Sequence, residues 1–155
     1  MCMSAKVRGT ISRTIMGANG LELRFVMRSD PRYLQVVRGA VGSLAAAIGW
    51  DESECMAITM ALDEALANVI RHAYHNRHDG EVELVCRESA EGFEAILSDR
   101  GEAPDQSKIC ARKVGSDQQG GLGTHIIRDV MDTVTYEDSP AGNRLILTKR
   151  FQKTI

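Results

Sequence analysis

The segment from residue 51 to residue 76 constrains the fold most, because its pattern predicts one long helix with two different sides. At about 100° per residue, its large apolar side chains fall on a single stripe, as in a helix that packs on a sheet. The members of that stripe are Cys55, Ile58, Leu62, Leu66, Val69 and Ala73. The opposite side carries Ala57, Ala61, Glu64, Asn68, Arg71 and His75. The two alanines leave room for another group to approach this side of the helix closely.

Alternating strand patterns lie before and after this helix along the chain. Together with the turn residues, they predict strands at residues 7–16, 21–29, 81–87, 93–99, 133–137 and 144–151. Two more helices are predicted, at residues 31–48 and 122–131. Because strands come in hairpins and helices in a block, the predicted class is α+β, a two-layer sandwich with helices on one face of a mainly antiparallel mixed sheet. A length of 155 residues without an internal repeat predicts a single domain, residues 1–155.

Charge and cysteine content limit the partners and the location that we expect. With 19 basic and 21 acidic residues the formal charge is -2, which provides neither a basic face for nucleic acid nor a polybasic stretch for a membrane surface. We therefore expect no direct nucleic-acid partner and no membrane partner. The four cysteines are widely spaced, which favours reduced thiols over a disulfide scaffold. Since the first residues also lack the apolar run of a signal peptide, a cytoplasmic protein is expected.

Glu64 and Asn68 are one helical turn apart, so their side chains project together from the second side of the long helix. A carboxylate beside an amide suits an oxygen-preferring cation such as magnesium, or a hydroxyl group that is to be polarised. Two surface residues that share a face by chance would show the same spacing. The pair alone leaves both interpretations open.

Two glycine segments follow the long helix. Asp99 and Gly101 end a predicted strand, where the carboxylate can accept a hydrogen bond from the amino group of a flat ligand and the glycine lets the backbone approach the ring. Farther on, the run Gly120-Gly121-Leu122-Gly123 opens the last predicted helix, and the backbone N–H groups of such a helix start suit phosphate. Taken singly, the first segment is explained equally well as a simple turn after a strand, and the second as the end of a flexible loop.

Together the three motifs occur in one order, and in that order the chain resembles the GHKL ATPase superfamily, with its N-box and two glycine boxes. Within the superfamily it is most similar to the anti-sigma regulatory factor and serine-protein kinase family. The likeness is strongest in residues 61–74 and extends to residues 131–132 and 142–150, so it spans nearly the whole chain. Chance is a poor explanation for three ordered motifs over that length.

The resemblance implies a role for each motif. Asn68 would coordinate the Mg2+ ion of bound ATP, and Glu64 would orient or deprotonate the attacking hydroxyl group. Asp99 would recognise the adenine amine, with Gly101 beneath the ring. Residues 100–119 would form the ATP lid. The nucleotide phosphates would be held by Gly120, Gly121, Leu122, Gly123 and Thr124.

The activity that the resemblance implies is that of an ATP-dependent protein serine kinase, acting as an anti-sigma factor in a partner-switching module. Its partners would be a sigma factor and an anti-sigma-factor antagonist that is phosphorylated on serine, and a homodimer is expected. The alternative is a nucleotide-gated binding module that sequesters a regulatory partner without phosphotransfer, and the intact Glu64 favours the kinase. The ATPase core of a histidine kinase is disfavoured, because no separate helical hairpin with an acceptor histidine is predicted.

The chain departs from the family pattern at two positions. Ala103 stands where many GHKL ATPases have a second glycine, and Gln119 stands where some relatives carry a basic residue before the glycine run. Charge compensation for the γ-phosphate would then come from Arg71, Arg112 or Lys113.

Overall fold

The computed structural model describes residues 20–104 and 122–152 of the chain. The predicted strand at residues 7–16 and residues 105–119 of the predicted lid lie outside the described residues. One segment, Val69–Ala73, forms a π-helical turn that continues the second helix. The other elements, in chain order, are β1 (Glu22–Arg28), α1 (Arg32–Ile48), α2 (Glu52–Asn68), β2 (Glu81–Ser89), β3 (Gly92–Asp99), α3 (Leu122–Val130), β4 (Thr133–Ser139) and β5 (Gly142–Arg150).

The five described strands form one sheet in the order β1-β2-β3-β5-β4, and all four neighbouring pairs are antiparallel. Leu84, Leu97 and Leu147 lie on the face that the helices cover, and all three are buried. The predicted α+β class is therefore confirmed. Among the described residues, no helix is long and apolar enough to cross a membrane.

The boundaries of α1 follow from its local sequence. Pro31 has a helical conformation and lies directly before Arg32, the first residue of α1. It was predicted as the first helical residue, so the helix begins one residue later than predicted. At the other end Gly49 adopts a left-handed φ of 117°, and its N–H group donates to the carbonyls of Ala45 and Ala46. Glycine adopts this conformation without steric cost, so it ends the helix as predicted. Asp51 then caps α2 by accepting a hydrogen bond from the N–H group of Glu54, at 2.9 Å.

The prediction that the second helix continues as far as residue 76 is wrong. The α-helix ends at Asn68, and the wider turn that follows is closed by a hydrogen bond from the Tyr74 N–H group to the Val69 carbonyl, at 3.1 Å. His75 and Asn76 then adopt left-handed φ values of 51° and 60°. Burial of Tyr74 accounts for the change, since its hydroxyl donates to the Glu81 carbonyl at 2.6 Å and so ties the helix end to β2.

The core lies between the sheet and the apolar stripe of α2. Ile58, Leu62 and Leu66 are buried as predicted, whereas Cys55 and Val69 at the stripe ends are half-buried. In β1 the alternation holds at Phe25 and Met27. The outer positions Leu21 and Leu23 of the same predicted face are exposed, because they lie toward the end of a strand at the sheet edge.

Candidate functional site

Glu64 and Asn68 lie one turn apart at the C-terminal end of α2, on the side away from the apolar stripe. The Nη2 atom of Arg71 donates to Glu64 Oε1 and to Asn68 Oδ1, and both distances are 2.9 Å. The Glu64 side chain is 24% exposed and the Arg71 side chain 48%. The structure therefore brings the two predicted residues together and adds a cation that bridges them.

The guanidinium group of Arg71 occupies the place where a bound cation would contact this pair of oxygens. Such a donor set attracts positive charge, but it supplies only one predicted metal ligand, the neutral amide oxygen of Asn68. The described residues contain no group of three or more His, Cys, Asp or Glu side chains able to hold a metal ion. Mg2+ commonly keeps water and phosphate oxygens and needs few protein ligands, so these residues fit a nucleotide-bound Mg2+ ion.

Asp99 is the last residue of β3 and is buried, with 8% of its surface exposed. Its Oδ1 atom accepts hydrogen bonds from the Gly101 N–H group and from Asn143 Nδ2, each at 2.9 Å. Within the described residues, no hydrogen bond reaches the Oδ2 atom. One oxygen therefore holds the turn, and the other is left to accept a hydrogen bond from a ligand.

Gly101 packs directly on the end of the π-helical turn. A Cβ atom at this position would overlap the carbonyl group of Ala73, which itself accepts a hydrogen bond from the Glu102 N–H group at 2.8 Å. The requirement for glycine is thus explained by contact with the helix end. The predicted position of Gly101 beneath an adenine ring stays a prediction.

Tyr74 joins the first two motifs. Its hydroxyl oxygen accepts a hydrogen bond from the Arg100 N–H group at 3.0 Å while it donates to the Glu81 carbonyl. Burial raises the pKa of Tyr74, which favours the protonated hydroxyl that donates to Glu81. A further contact runs from His75 Nε2 to Glu102 Oε2, at 2.6 Å. The segment after β3 is therefore attached to the end of α2, which carries Glu64 and Asn68.

The third motif lies on the same side of the sheet. Leu122, Gly123 and Thr124 form the first turn of α3, and α3 packs against α2. Gly120 and Gly121 lie outside the described residues. The start of α3 is thus the predicted phosphate-binding end, next to the helix that carries Glu64 and Asn68.

Comparison with known protein families agrees with this arrangement. The histidine kinase-like ATPase domain family matches residues 27–149, which include all three motifs. The chain belongs to the histidine kinase-like ATPase domain family. The family predicted from the order of the motifs is therefore confirmed, and with it the use of ATP that the family name states.

Relatives of this histidine kinase-like ATPase domain are named as protein kinases. The chain is 26% identical over 129 residues to the serine-protein kinase RsbW of Bacillus velezensis, covering 78% of this chain and 80% of that relative. It is 28% identical over 103 residues to the serine/threonine-protein kinase BtrW of Bordetella bronchiseptica, covering 64% of this chain and 72% of that relative. These values describe similarity along most of each chain.

A solved structure supports the fold independently. The crystal structure of the RsbU and RsbW domains of a Mycobacterium tuberculosis protein superposes with a TM-score of 0.62 at 19% sequence identity. The match covers 84% of this chain, and this chain spans about a third, 32%, of that longer chain. At this level of identity the likeness shows the fold of the ATPase domain.

Two further residues of the candidate site were not predicted from the sequence. Asn143, at the start of β5, is buried and donates to Asp99 Oδ1 and to the Gly101 carbonyl, so it fixes the turn. Tyr136 lies on β4, and its buried hydroxyl has no hydrogen-bond partner among the residues that the structure describes. Burial, with Asp99 and Asp138 as weaker causes, raises the pKa of Tyr136 to about 12. In the sequence, an asparagine that follows a glycine is typical of a turn. The pairing of Asn143 with Asp99 is visible only in the register of the sheet.

Proposed function

We propose that this chain is an ATP-dependent protein serine kinase that acts as an anti-sigma factor in a partner-switching module. It would transfer the γ-phosphoryl group of ATP to a serine of an anti-sigma-factor antagonist, and in another state it would bind a sigma factor. The observation that carries the proposal is the pair Glu64 and Asn68, held side by side on a helix whose end is attached to the Asp99–Gly101 turn. The relatives named serine-protein kinase support the same activity.

In this proposal each residue has one task in nucleotide binding. Asp99 Oδ2 accepts a hydrogen bond from the adenine amine, since Oδ1 is already used by Gly101 and Asn143. The backbone of Gly120 to Thr124 holds the phosphates at the start of α3. Asn68 Oδ1 holds the Mg2+ ion, which neutralises charge on the phosphate oxygens when bound. Arg71 gives up its contact with Asn68 in that state.

Glu64 is the proposed general base. The serine oxygen forms a bond to the γ-phosphorus as the bond from that phosphorus to the bridging oxygen of ADP breaks. The serine proton passes to the Glu64 carboxylate, and the products are phosphoserine and ADP. Positioning and charge stabilisation supply most of the rate in phosphoryl transfer, so Glu64 adds assistance to a reaction that the other groups already favour.

The experiment that tests the kinase compares two carboxylate variants of α2. Glu64→Gln keeps shape and one oxygen acceptor but removes the charge that draws off the proton. We expect transfer from radiolabelled ATP to the antagonist to fall by about 10²- to 10⁴-fold, with ATP affinity within a few-fold of wild type. The matched control is Glu52→Gln, which removes an exposed carboxylate at the opposite end of α2 and should keep the wild-type rate. Wild-type rates in Glu64→Gln would remove the catalytic role from Glu64.

A nucleotide-gated binding module is the second candidate. The specific observation in its favour is the ion pair between Glu64 and Arg71, because it occupies one of the two Glu64 oxygens and leaves only the other to contact an acceptor hydroxyl group. In that case the wild-type chain would bind ATP and retain its partner, yet label no serine at any antagonist concentration. The same radiolabel assay therefore separates the two candidates.

A further inference from the structure

The outward side of α2, next to Glu64, carries two exposed methionines. Met56 is 61% exposed and Met60 is 50% exposed, and they stand one helical turn apart. Single exposed apolar residues are common on protein surfaces. Here the stripe leads directly to the proposed general base, because Met60 stands one turn before Glu64 on the same helix.

A protein whose serine reaches Glu64 would also cover both methionines, because a protein interface is wider than their distance from Glu64. A stable interface buries roughly 800 Å² on each partner, which corresponds to a patch of roughly 16 Å radius. With a helical rise of about 1.5 Å per residue, Met60 lies roughly 6 Å and Met56 roughly 12 Å along the axis from Glu64. A folded acceptor whose serine contacts the Glu64 carboxylate therefore covers this part of α2.

The surroundings of the methionines match the usual anatomy of an interface, which has an apolar centre and a polar rim. The ion pair of Asp63 with Arg38 lies on one side of Met60, and the ion pair of Glu64 with Arg71 lies on the other. Methionine side chains are flexible and polarisable, so they adapt to partners of different shape. That property suits a chain that exchanges one protein partner for another.

We propose that Met56 and Met60 form the docking surface for the protein that carries the acceptor serine. The inference rests on the proposed kinase function and adds to it the surface by which the substrate protein is recognised. The docking surface is separate from the nucleotide contacts, so it contributes to the KM for the acceptor protein and not to ATP affinity. It also explains why large apolar side chains remain exposed on α2 beside polar site residues.

The first test measures the oxidation of methionine by hydrogen peroxide, which depends on exposure. The probe is the purified anti-sigma-factor antagonist of the same genome, added to the full chain with a non-hydrolysable ATP analogue. We expect sulfoxide formation at Met56 and Met60 to slow several-fold when the antagonist saturates the chain, while the buried Met27 stays unreactive throughout. Protection that instead follows the concentration of the chain alone would show a second copy as the occupant and overturn the proposal.

The second test uses the variant M56A/M60A with Val36→Ala as its matched control. Val36 is 64% exposed on α1, and it stands two residues before Arg38, which faces α2, so the helix turns it away from Glu64. We expect the KM for the antagonist to rise by about tenfold or more in M56A/M60A, with kcat at saturation and ATP affinity unchanged. Val36→Ala should keep the wild-type KM.

The outcomes separate this inference from the function on which it rests. An M56A/M60A variant that phosphorylates the antagonist with the wild-type KM overturns the docking surface and leaves the kinase intact. An equal rise in KM for Val36→Ala also overturns it, because the effect would then not belong to α2. A wild-type chain that binds ATP but neither binds nor phosphorylates the antagonist overturns the proposed function, and the docking surface with it.

Discussion

The two oxygens of the Asp99 carboxylate differ in their surroundings. Oδ1 accepts the hydrogen bonds of Gly101 and Asn143, and Oδ2 has no hydrogen-bond partner among the described residues. An asparagine at this position can keep its carbonyl oxygen toward Gly101 and Asn143. Its NH2 group then takes the place of Oδ2, where the proposed adenine contact needs an acceptor. Binding and stability can thus be separated at a single residue.

We predict that Asp99→Asn weakens ATP by roughly 10- to 100-fold, because losing a hydrogen bond to a buried polar group costs about 1–3 kcal/mol. Its free energy of unfolding should stay near wild type, as both structural hydrogen bonds are kept. Asn143→Ala should have the opposite effect, a loss of stability. It removes one of the two hydrogen bonds to Asp99 Oδ1, which should lower the free energy of unfolding by about 1–3 kcal/mol. Calorimetric titration with ATP and urea unfolding measure the two effects. An Asp99→Asn variant that binds ATP like wild type would make Asp99 a turn residue only.

Residue types and spacing predicted Glu64, Asn68, Asp99 and Gly101, and the structure brings these four residues to one end of the sheet. The spacing could not predict what holds them there. Asn143 and Tyr74 act through contacts with residues that are 44 and 26 positions away in the chain, to Asp99 and Arg100. Such contacts depend on strand register and on the helix end, and neither leaves a local pattern in the sequence.

The end of α2 is the element on which the site depends. Sequence periodicity predicted its apolar stripe correctly but continued the helix beyond Asn68, because the side-chain pattern persists as far as Ala73. The change to a π-helical turn comes from tertiary contacts of Tyr74 with β2 and of Ala73 with Gly101. Irregular turns of this kind are frequent at functional sites, since they redirect side chains within a helix.

Two glycine-to-alanine variants test how tightly this element is packed. In Gly101→Ala the new methyl group would overlap the Ala73 carbonyl, so we expect a loss of about 1–3 kcal/mol in stability and weaker ATP binding. In Gly39→Ala the methyl group meets nothing within 4 Å on the surface of α1, and stability should rise by about 0.5–1 kcal/mol. Urea unfolding of both variants decides this. Equal stability for the two would mean that the contact of Gly101 with the helix end is loose.

For the molecule as a whole, stability should depend on pH through Asp30. The Arg32 guanidinium, at 2.9 Å from Nε to Asp30 Oδ2, holds the pKa of Asp30 at about 2, below its ordinary value of 3.8. A carboxyl group whose pKa is lowered by folding stabilises the folded state at pH values above its ordinary pKa. That contribution to the free energy of unfolding is lost as pH falls from about 4 through about 2. Arg32→Ala should therefore be less stable than wild type at pH 7, and the gap should shrink at pH 2.5. Urea midpoints at both pH values measure the gap, and a constant gap would contradict the assignment.

Ligand binding should raise the stability of the entire chain, because we expect residues 1–155 to unfold as one domain in a single transition. A ligand present at 100 times its Kd stabilises the folded state by about 2.7 kcal/mol, which corresponds to roughly 5–10 °C in Tm for a chain of this size. We predict this shift for wild type with a non-hydrolysable ATP analogue and Mg2+, and a smaller shift when Mg2+ is chelated.

Asn68→Ala should lose the Mg2+-dependent part of the Tm shift while keeping the Tm of the free chain, since the only hydrogen bond that its side chain makes within the described residues is to Arg71. Gln35→Ala, which removes an exposed amide from α1, is the control and should keep the full shift. An Mg2+-dependent shift of wild-type size in Asn68→Ala would transfer the metal contact to other residues, and two separate transitions would contradict a single domain.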